Sequence, residues 1–185
     1  MCYRDRMSNY KKIVKGVRER NTQAQMLFYD LFVRAVFLSA YAITCNENEA
    51  EEITQDTMLK VFDKTELLHD DDKAMKRILL RIASNAAINL VRRRKDFIFP
   101  VEELPDLEDS DVDDDRRNFS MEEIRDAVTT LSGNYRNILS LRLFDDMSFK
   151  EIAELLNIKY ATARVQYMRG ITKLKDLLNK KRIYD

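Results

Sequence analysis

Tryptophan is missing from this chain, and the 185 residues hold one histidine, two cysteines, two prolines and three glycines. Each shortage closes a class of function. The lone His69 lies in a polar stretch, so a His-based metal cluster or a set of triad partners is excluded. Gly16, Gly133 and Gly170 stand apart from one another, which rules out a glycine-rich phosphate loop. Cys2 and Cys45 are too few and too distant for a disulfide framework or a zinc site, and a reduced, cytoplasmic protein is expected. Long apolar runs are also scarce. LFVRAVFLSAYAI (Leu31–Ile43) is interrupted by Arg34 and falls short of the ~18 residues of a membrane span, so it reads as a buried bundle helix. MCYRDRMSNYKK at the start has no apolar signal region, and neither export nor membrane insertion is expected. No catalytic constellation, metal site or cofactor motif is found, and the expectation is a protein that is not an enzyme.

Net charge is zero as well, but that balance is uneven along the chain. Residues 1–95 hold 18 Lys+Arg against 13 Asp+Glu, residues 96–118 hold 2 against 10, and residues 119–185 hold 12 against 9. Two mildly basic blocks therefore flank a short acidic one, a layout suited to two nucleic-acid-facing modules on a repelling strap. Both prolines, Pro100 and Pro105, fall in the strap, where no apolar period survives and no helix can run through. Strand-like alternation is absent elsewhere. The expected fold is all-α: two small helical domains, 1–95 and 119–185, joined by a flexible acidic linker, 96–118.

The first block divides by its caps and periods. A short helix spans Tyr10–Arg20, and Asn21 or Thr22 caps a long apolar helix to about Thr44. Cys45–Asn48 make a turn, with Asn48 and Glu51 a capping pair for a third helix ending near Phe62. DKTELLHDDD (Asp63–Asp72) reads as a polar loop, followed by a long helix from about Lys73 to Arg94. The expected inner stripe of that helix is Ile78, Leu79, Ile82, Ala86 and Leu90. Its outer side carries Lys73, Lys76, Arg77, Arg81, Asn85, Asn89, Arg92, Arg93, Arg94 and Lys95, all cationic apart from two amides.

The second block is the more informative. Ser120 with Glu123 makes a capping box, and helices at 121–131 and 134–144 lead to SFKEIAELLNIKYATARVQYMRGITKLKDLLNKKR (Ser148–Arg182). Ser148 and Glu151 make another box, and Phe149, Ile152, Ala153 and Leu156 recur at helical spacing. Asn157, Ile158 and Lys159 form a break, with Ile158 an apolar plug. In the next helix Ala163, Tyr167, Gly170, Ile171 and Leu174 face inward. Tyr160, Ala161, Arg164, Val165, Met168 and Arg169 are left facing outward. A helix, a tight break and a second helix with arginines beside small groups describe a helix-turn-helix DNA reader. Ordinary helical bundles share that outline, so this segment alone leaves both readings open.

At this point the chain resembles a known family. EAEEITQDTMLKVF (Glu49–Phe62), then KRILLRIASNAAINLVRRRKD (Lys76–Asp96), resembles region 2 of bacterial sigma factors. AVTTLSGNYRNILSLRLFDDMSFKEIAELLNIKYATARVQYMRGITKLKDLL (Ala127–Leu178) resembles region 4. Their direct joining by a short linker is similar to the extracytoplasmic-function (ECF) group, and the likeness runs from roughly Gln23 to Leu178. The resemblance implies a subunit that binds core RNA polymerase and directs promoter recognition and transcription initiation. It implies that Glu51, Glu52, Gln55 and Asp56 meet the clamp helices of the largest polymerase subunit, where residues alone suggest a solvated face, and that region 4 meets the flap of the second-largest subunit. It implies that Lys73, Arg77, Arg81, Asn85, Asn89, Arg92, Arg93 and Arg94 engage the −10 element as single strand, with loop 63–72 walling a base pocket. A helix–helix hydrogen bond would explain Asn85 equally well.

For the −35 duplex the resemblance implies Tyr160, Ala161, Thr162, Arg164, Val165, Met168 and Arg169, with Arg164 suited to a bidentate guanine contact. Many relatives carry a basic residue in place of Gln166 and a small polar one in place of Val165. Gly170 stands for a more usual alanine, at a cost of about 1 kcal/mol in a helix. The acidic strap would thread a cationic channel of the polymerase, or serve as a solvated spacer. An anti-sigma factor is a further implied partner. The competing reading is a stand-alone helix-turn-helix regulator whose N-terminal bundle senses a signal or dimerises.

Overall fold

The structure, a computed structural model, describes residues 3–94 and 119–184. The acidic strap and the expectations placed on it lie outside those residues, as does Lys95. Among the described residues eight α-helices run in the order α1 (Tyr3–Arg18), α2 (Thr22–Thr44), α3 (Glu47–Asp63), α4 (Asp72–Arg93), α5 (Met121–Thr129), α6 (Gly133–Leu143), α7 (Phe149–Leu156) and α8 (Tyr160–Tyr184). One 3-10 turn, Thr65–Leu67, lies between α3 and α4, and the described residues contain no strand. The chain divides into two compact units, Met1–Ala87 and Ile88–Asp185, with the boundary inside α4.

The first unit is built on α2. Asn21 caps it by accepting from the Ala24 N–H at 3.0 Å. By length and composition α2 could cross a membrane, a measure that the interrupted run at Arg34 had been expected to miss. Its apolar content has another outlet, since Phe28, Phe32, Val36, Ala40 and Ile43 are buried at helical spacing. Phe28 packs on Phe32 with ring centroids 4.9 Å apart, and Tyr10 meets Phe32 edge-on at 6.1 Å. Where α1 crosses α2, a Cβ on Gly16 would stand 2.5 Å from the Ala24 Cβ, so glycine is what permits the approach.

Two expectations need correction here. The cap of α3 is Asn46, accepting from Glu49 N–H at 3.2 Å, and not Asn48 with Glu51. Cys45 takes the left-handed conformation (φ 49°) and ends α2 in a single residue, so Asn46 is already extended and placed to cap. The buried seam of α4 within this unit is Met75, Leu79, Leu80, Ala83, Ser84 and Ala87. Of the expected stripe only Leu79 is fully inside; Ile78, Ile82, Ala86 and Leu90 are half-buried. Small residues decide the seam. Ser84 Oγ lies 3.1 Å from Ser39 Oγ, an approach that larger side chains at Ala83, Ser84 and Ala87 would prevent.

The second unit closes around Ile124, Val128, Leu131, Leu139, Ile171, Leu174 and Leu178, contributed by α5, α6 and α8 with the turn after α5. Both capping boxes form: Ser120 with Glu123, and Ser148 with Glu151. Asn157 (φ 53°) ends α7 in the left-handed region, and the Ile158 N–H returns to the Ala153 carbonyl at 3.0 Å. That closure makes the tight break, with Ile158 half-buried. Gly170 has a packing reason as well, since a Cβ there would meet Leu139 Cγ at 3.2 Å.

Candidate nucleic-acid interface

The first interface candidate is the outer side of α4, whose residues up to Ala87 lie in the first unit and the rest in the second, together with the loop before it. Asp71 starts the helix, a cap that the reading from Lys73 missed: its Oδ1 accepts from the Ala74 N–H at 2.8 Å. Those backbone N–H groups, Ala74 first and Lys73 after burial's opposing effect, hold the Asp71 carboxyl below the usual carboxylate range. Lys73, Arg77 and Arg81 follow at steps of four and are all exposed, with Asn85 half-buried and Asn89 exposed along the same line. At 1.5 Å per residue a helix carries such a ridge about 24 Å from Lys73 to Asn89, long enough to follow several phosphates. Arg93 and Arg94 are exposed. Arg92 is half-buried, and within the second unit it donates to the Leu155 carbonyl at 2.8 Å.

The loop is less of a loop than DKTELLHDDD suggests. Besides its 3-10 turn it buries Leu68, and α1 pins it. The Tyr10 hydroxyl donates to the His69 carbonyl, and Arg18 donates to the Leu68 carbonyl. Burial, reinforced by the carboxylates of Asp72, Asp70 and Asp71, pushes the Tyr10 hydroxyl above the ordinary phenol range, so it stays a donor.

On α3 the expected protein-binding residues share one exposed face. Glu51, Glu52, Gln55 and Asp56 point to solvent while Ala50, Ile53, Thr54, Thr57, Met58 and Val61 are buried. Leu59 extends that face at 59% exposure and was not anticipated, although an apolar residue four past Gln55 was visible. Met26, Leu27 and Leu31 on α2 are exposed too. Their signal was an apolar helix with more apolar residues than one stripe can bury.

In the second unit α8 begins inside an aromatic cluster. Phe149 meets Tyr160 edge-on at 6.4 Å and Tyr167 at 5.2 Å. The Arg164 guanidinium lies 6.0 Å from the Tyr160 ring, and Arg142 lies 5.1 Å from Phe149 while donating to the Met147 carbonyl at 3.0 Å. Sequence reading missed Arg142 and the second role of Phe149. Tyr160 and Arg169 are exposed, and Ala161, Thr162, Arg164 and Met168 are half-exposed. Val165 does not face outward as expected. It is buried at 4% exposure, as is Gln166. A valine gains about 1.5–3 kcal/mol by leaving water, an incentive that helical spacing alone does not reveal. Among the described residues no group of three or more His, Cys, Asp or Glu side chains could hold a metal ion.

Comparison with known proteins finds two modules in the chain. Residues 28–97 match the family model described as Sigma-70 region 2, and residues 121–174 match Sigma-70, region 4. Two such modules in this order make the chain a sigma-70-type factor. RNA polymerase sigma factor CarQ of Myxococcus xanthus is 30% identical over 169 residues, covering 84% of this chain and 91% of that protein. ECF RNA polymerase sigma factor SigW of Bacillus subtilis is 25% identical, covering 86% and 91%. The sigma factor RpoE of Bartonella quintana, solved with the anti-sigma factor NepR, shares the fold at a TM-score of 0.52 and 20% identity, covering 83% of this chain and 96% of that one. The chain belongs to the ECF sigma factor family. It binds RNA polymerase and promoter DNA and directs transcription initiation, which sets aside the stand-alone regulator.

Proposed function

We propose that promoter reading divides between two modules along the sequence. Residues 1–95 act as the polymerase-binding and −10 module, 96–118 as the acidic linker, and 119–185 as the −35 module. The −10 strand runs along the ridge of Lys73, Arg77 and Arg81, continued by Arg92, Arg93 and Arg94, with Asn85 and Asn89 offering donors and acceptors to an unstacked base. Loop 63–72 walls that pocket. The −35 duplex receives the start of α8 in its major groove, through Tyr160, Ala161, Thr162, Arg164, Met168 and Arg169. Glu51, Glu52, Gln55 and Asp56 dock on the clamp helices of the largest polymerase subunit, and the second unit on the flap of the second-largest. A cytoplasmic location and control by an anti-sigma factor complete the reading.

The observation that carries it is the spacing of four along α4, where cations and then amides occupy one line beside a pinned loop. The Asn85→Ala/Asn89→Ala double variant tests it. Holoenzyme carrying it should bind promoter duplex and core normally yet fail to open the −10 region, followed by 2-aminopurine fluorescence. Normal opening would remove the base pocket from α4.

A further inference from the structure

Helix α1 lies ahead of the stretch that matches region 2, which begins at residue 28. Its side chains nevertheless hold the loop between α3 and α4 at three points. The buried Tyr10 donates its hydroxyl to the His69 carbonyl at 3.0 Å. Arg18 Nη2 donates to the Leu68 carbonyl at 3.1 Å, and Arg18 Nη1 stands 3.0 Å from Asp70 Oδ1. Two successive carbonyls are thus fixed by residues 59 and 50 positions earlier in the chain, and the next carboxylate is paired with the same Arg18. The loop adds pins of its own: the Asp71 N–H donates to His69 Nδ1 at 3.0 Å, and Leu68 is buried.

Two physical consequences follow from that geometry. Fixing the carbonyls at 68 and 69 fixes the peptide planes on either side of His69, so the loop presents one backbone conformation. The stretch also carries five carboxylates, Asp63, Glu66, Asp70, Asp71 and Asp72, directly before the cationic ridge of α4. Polyanionic DNA is repelled by those charges, and Arg18 offsets one of them.

We infer that Tyr10 and Arg18 are positioning residues for −10 recognition, with α1 holding the loop in the conformation that reads the strand. The inference rests on the reading that loop 63–72 walls the −10 pocket. A clamp that merely stabilises the unit would predict no change in base choice.

The test uses holoenzyme reconstituted from bacterial core polymerase and the full-length chain. Run-off transcription is read from templates randomised at every −10 position, with a −35 element selected beforehand by the wild-type protein. Arg18→Met and Asp70→Asn should each flatten base preference at the same −10 position by about threefold, the size of one solvent-exposed charged contact. The double variant should be no flatter than Arg18→Met alone, and Tyr10→Phe should flatten the same position. The −35 preference should stay as in the wild type. Asp70 is exposed, so Asp70→Asn keeps the test decisive if Arg18→Met folds poorly. A uniform fall across all templates, with base preference intact, overturns the proposal. Glu66→Ala, in the loop but outside the clamp, separates the two levels. Preference altered by Glu66→Ala and by no clamp variant overturns the positioning role alone. Preference altered by none of them overturns the pocket itself and the proposal with it.

Discussion

Gly16→Ala should be among the most damaging single-methyl additions in the first unit. The new Cβ would sit 2.5 Å from the Ala24 Cβ. Ordinary carbon–carbon contact needs about 3.5–4 Å, so α1 and α2 must separate by about 1 Å at the crossing. Ala24 is fixed to its backbone and cannot rotate aside, which puts the strain toward the upper end of the roughly 1–3 kcal/mol of overpacking. Alanine returns about 1 kcal/mol of helix propensity, leaving a net loss of about 2 kcal/mol. Gly170→Ala is the internal control. There the new Cβ meets Leu139 Cγ at 3.2 Å, and a leucine side chain can yield by a few tenths of an ångström. Its strain and its propensity gain are of similar size, and a change of less than about 1 kcal/mol is expected. Urea unfolding followed by far-UV circular dichroism reads both. At a slope of about 2 kcal/mol/M, Gly16→Ala should lower the midpoint by about 1 M, and Gly170→Ala should leave it nearly in place. Equal midpoints for Gly16→Ala and the wild type would refute the close crossing of α1 and α2.

Arg164→Ala should cost about 1–3 kcal/mol of discrimination at a single −35 base pair, measured by transcription from templates substituted there; unaltered base preference would reject the orientation given to α8. Ser148→Ala removes one half of a capping box and should destabilise the second unit by about 1 kcal/mol in thermal unfolding, while Ser148→Thr should retain most of it. Charge reversal at Glu51 and Asp56 together should weaken binding to core polymerase about tenfold at low salt, and a fluorescence titration showing wild-type affinity would move the docking face elsewhere. Asp71 has a folded pKa below its unfolded one, so its cap contributes above the ordinary carboxylate range and is lost as pH falls through the folded value. Asp71→Asn keeps a capping side chain, and its melting temperature should therefore lose less between pH 7 and pH 3 than the wild type; parallel losses would discount the cap.

Much of this architecture was legible because helix signals are local. Ser120 and Ser148 announce their helices by a glutamate three residues on and cap as read, and of the two caps read for α2, Asn21 is the one that forms. The exposed faces of α3 and α4 followed from spacing for the same reason. What escaped depends on neighbours remote in sequence. The seam of α4 turned toward Ala83 and Ser84 because Ser39 lies opposite, and no residue of α4 announces that. Val165 left the surface, and the hold of Tyr10 and Arg18 on His69, Leu68 and Asp70 links α1 to a loop that reads as free polar chain. Asn46 was missed for a smaller reason. The left-handed turn at Cys45 shortens the connection by two residues, and cysteine carries no such signature.

The aromatic cluster at the head of α8 has a practical corollary for engineering. Of the side chains proposed to meet DNA, Tyr160 leans on Phe149, whereas Ile124, Val128, Leu139, Ile171, Leu174 and Leu178 hold the scaffold. The two sets share no member. On the proposed −35 contacts, grafting at Tyr160, Ala161, Arg164, Met168 and Arg169, with the buried Val165 and Gln166 left as found, should yield factors that address separate sets of genes from one scaffold.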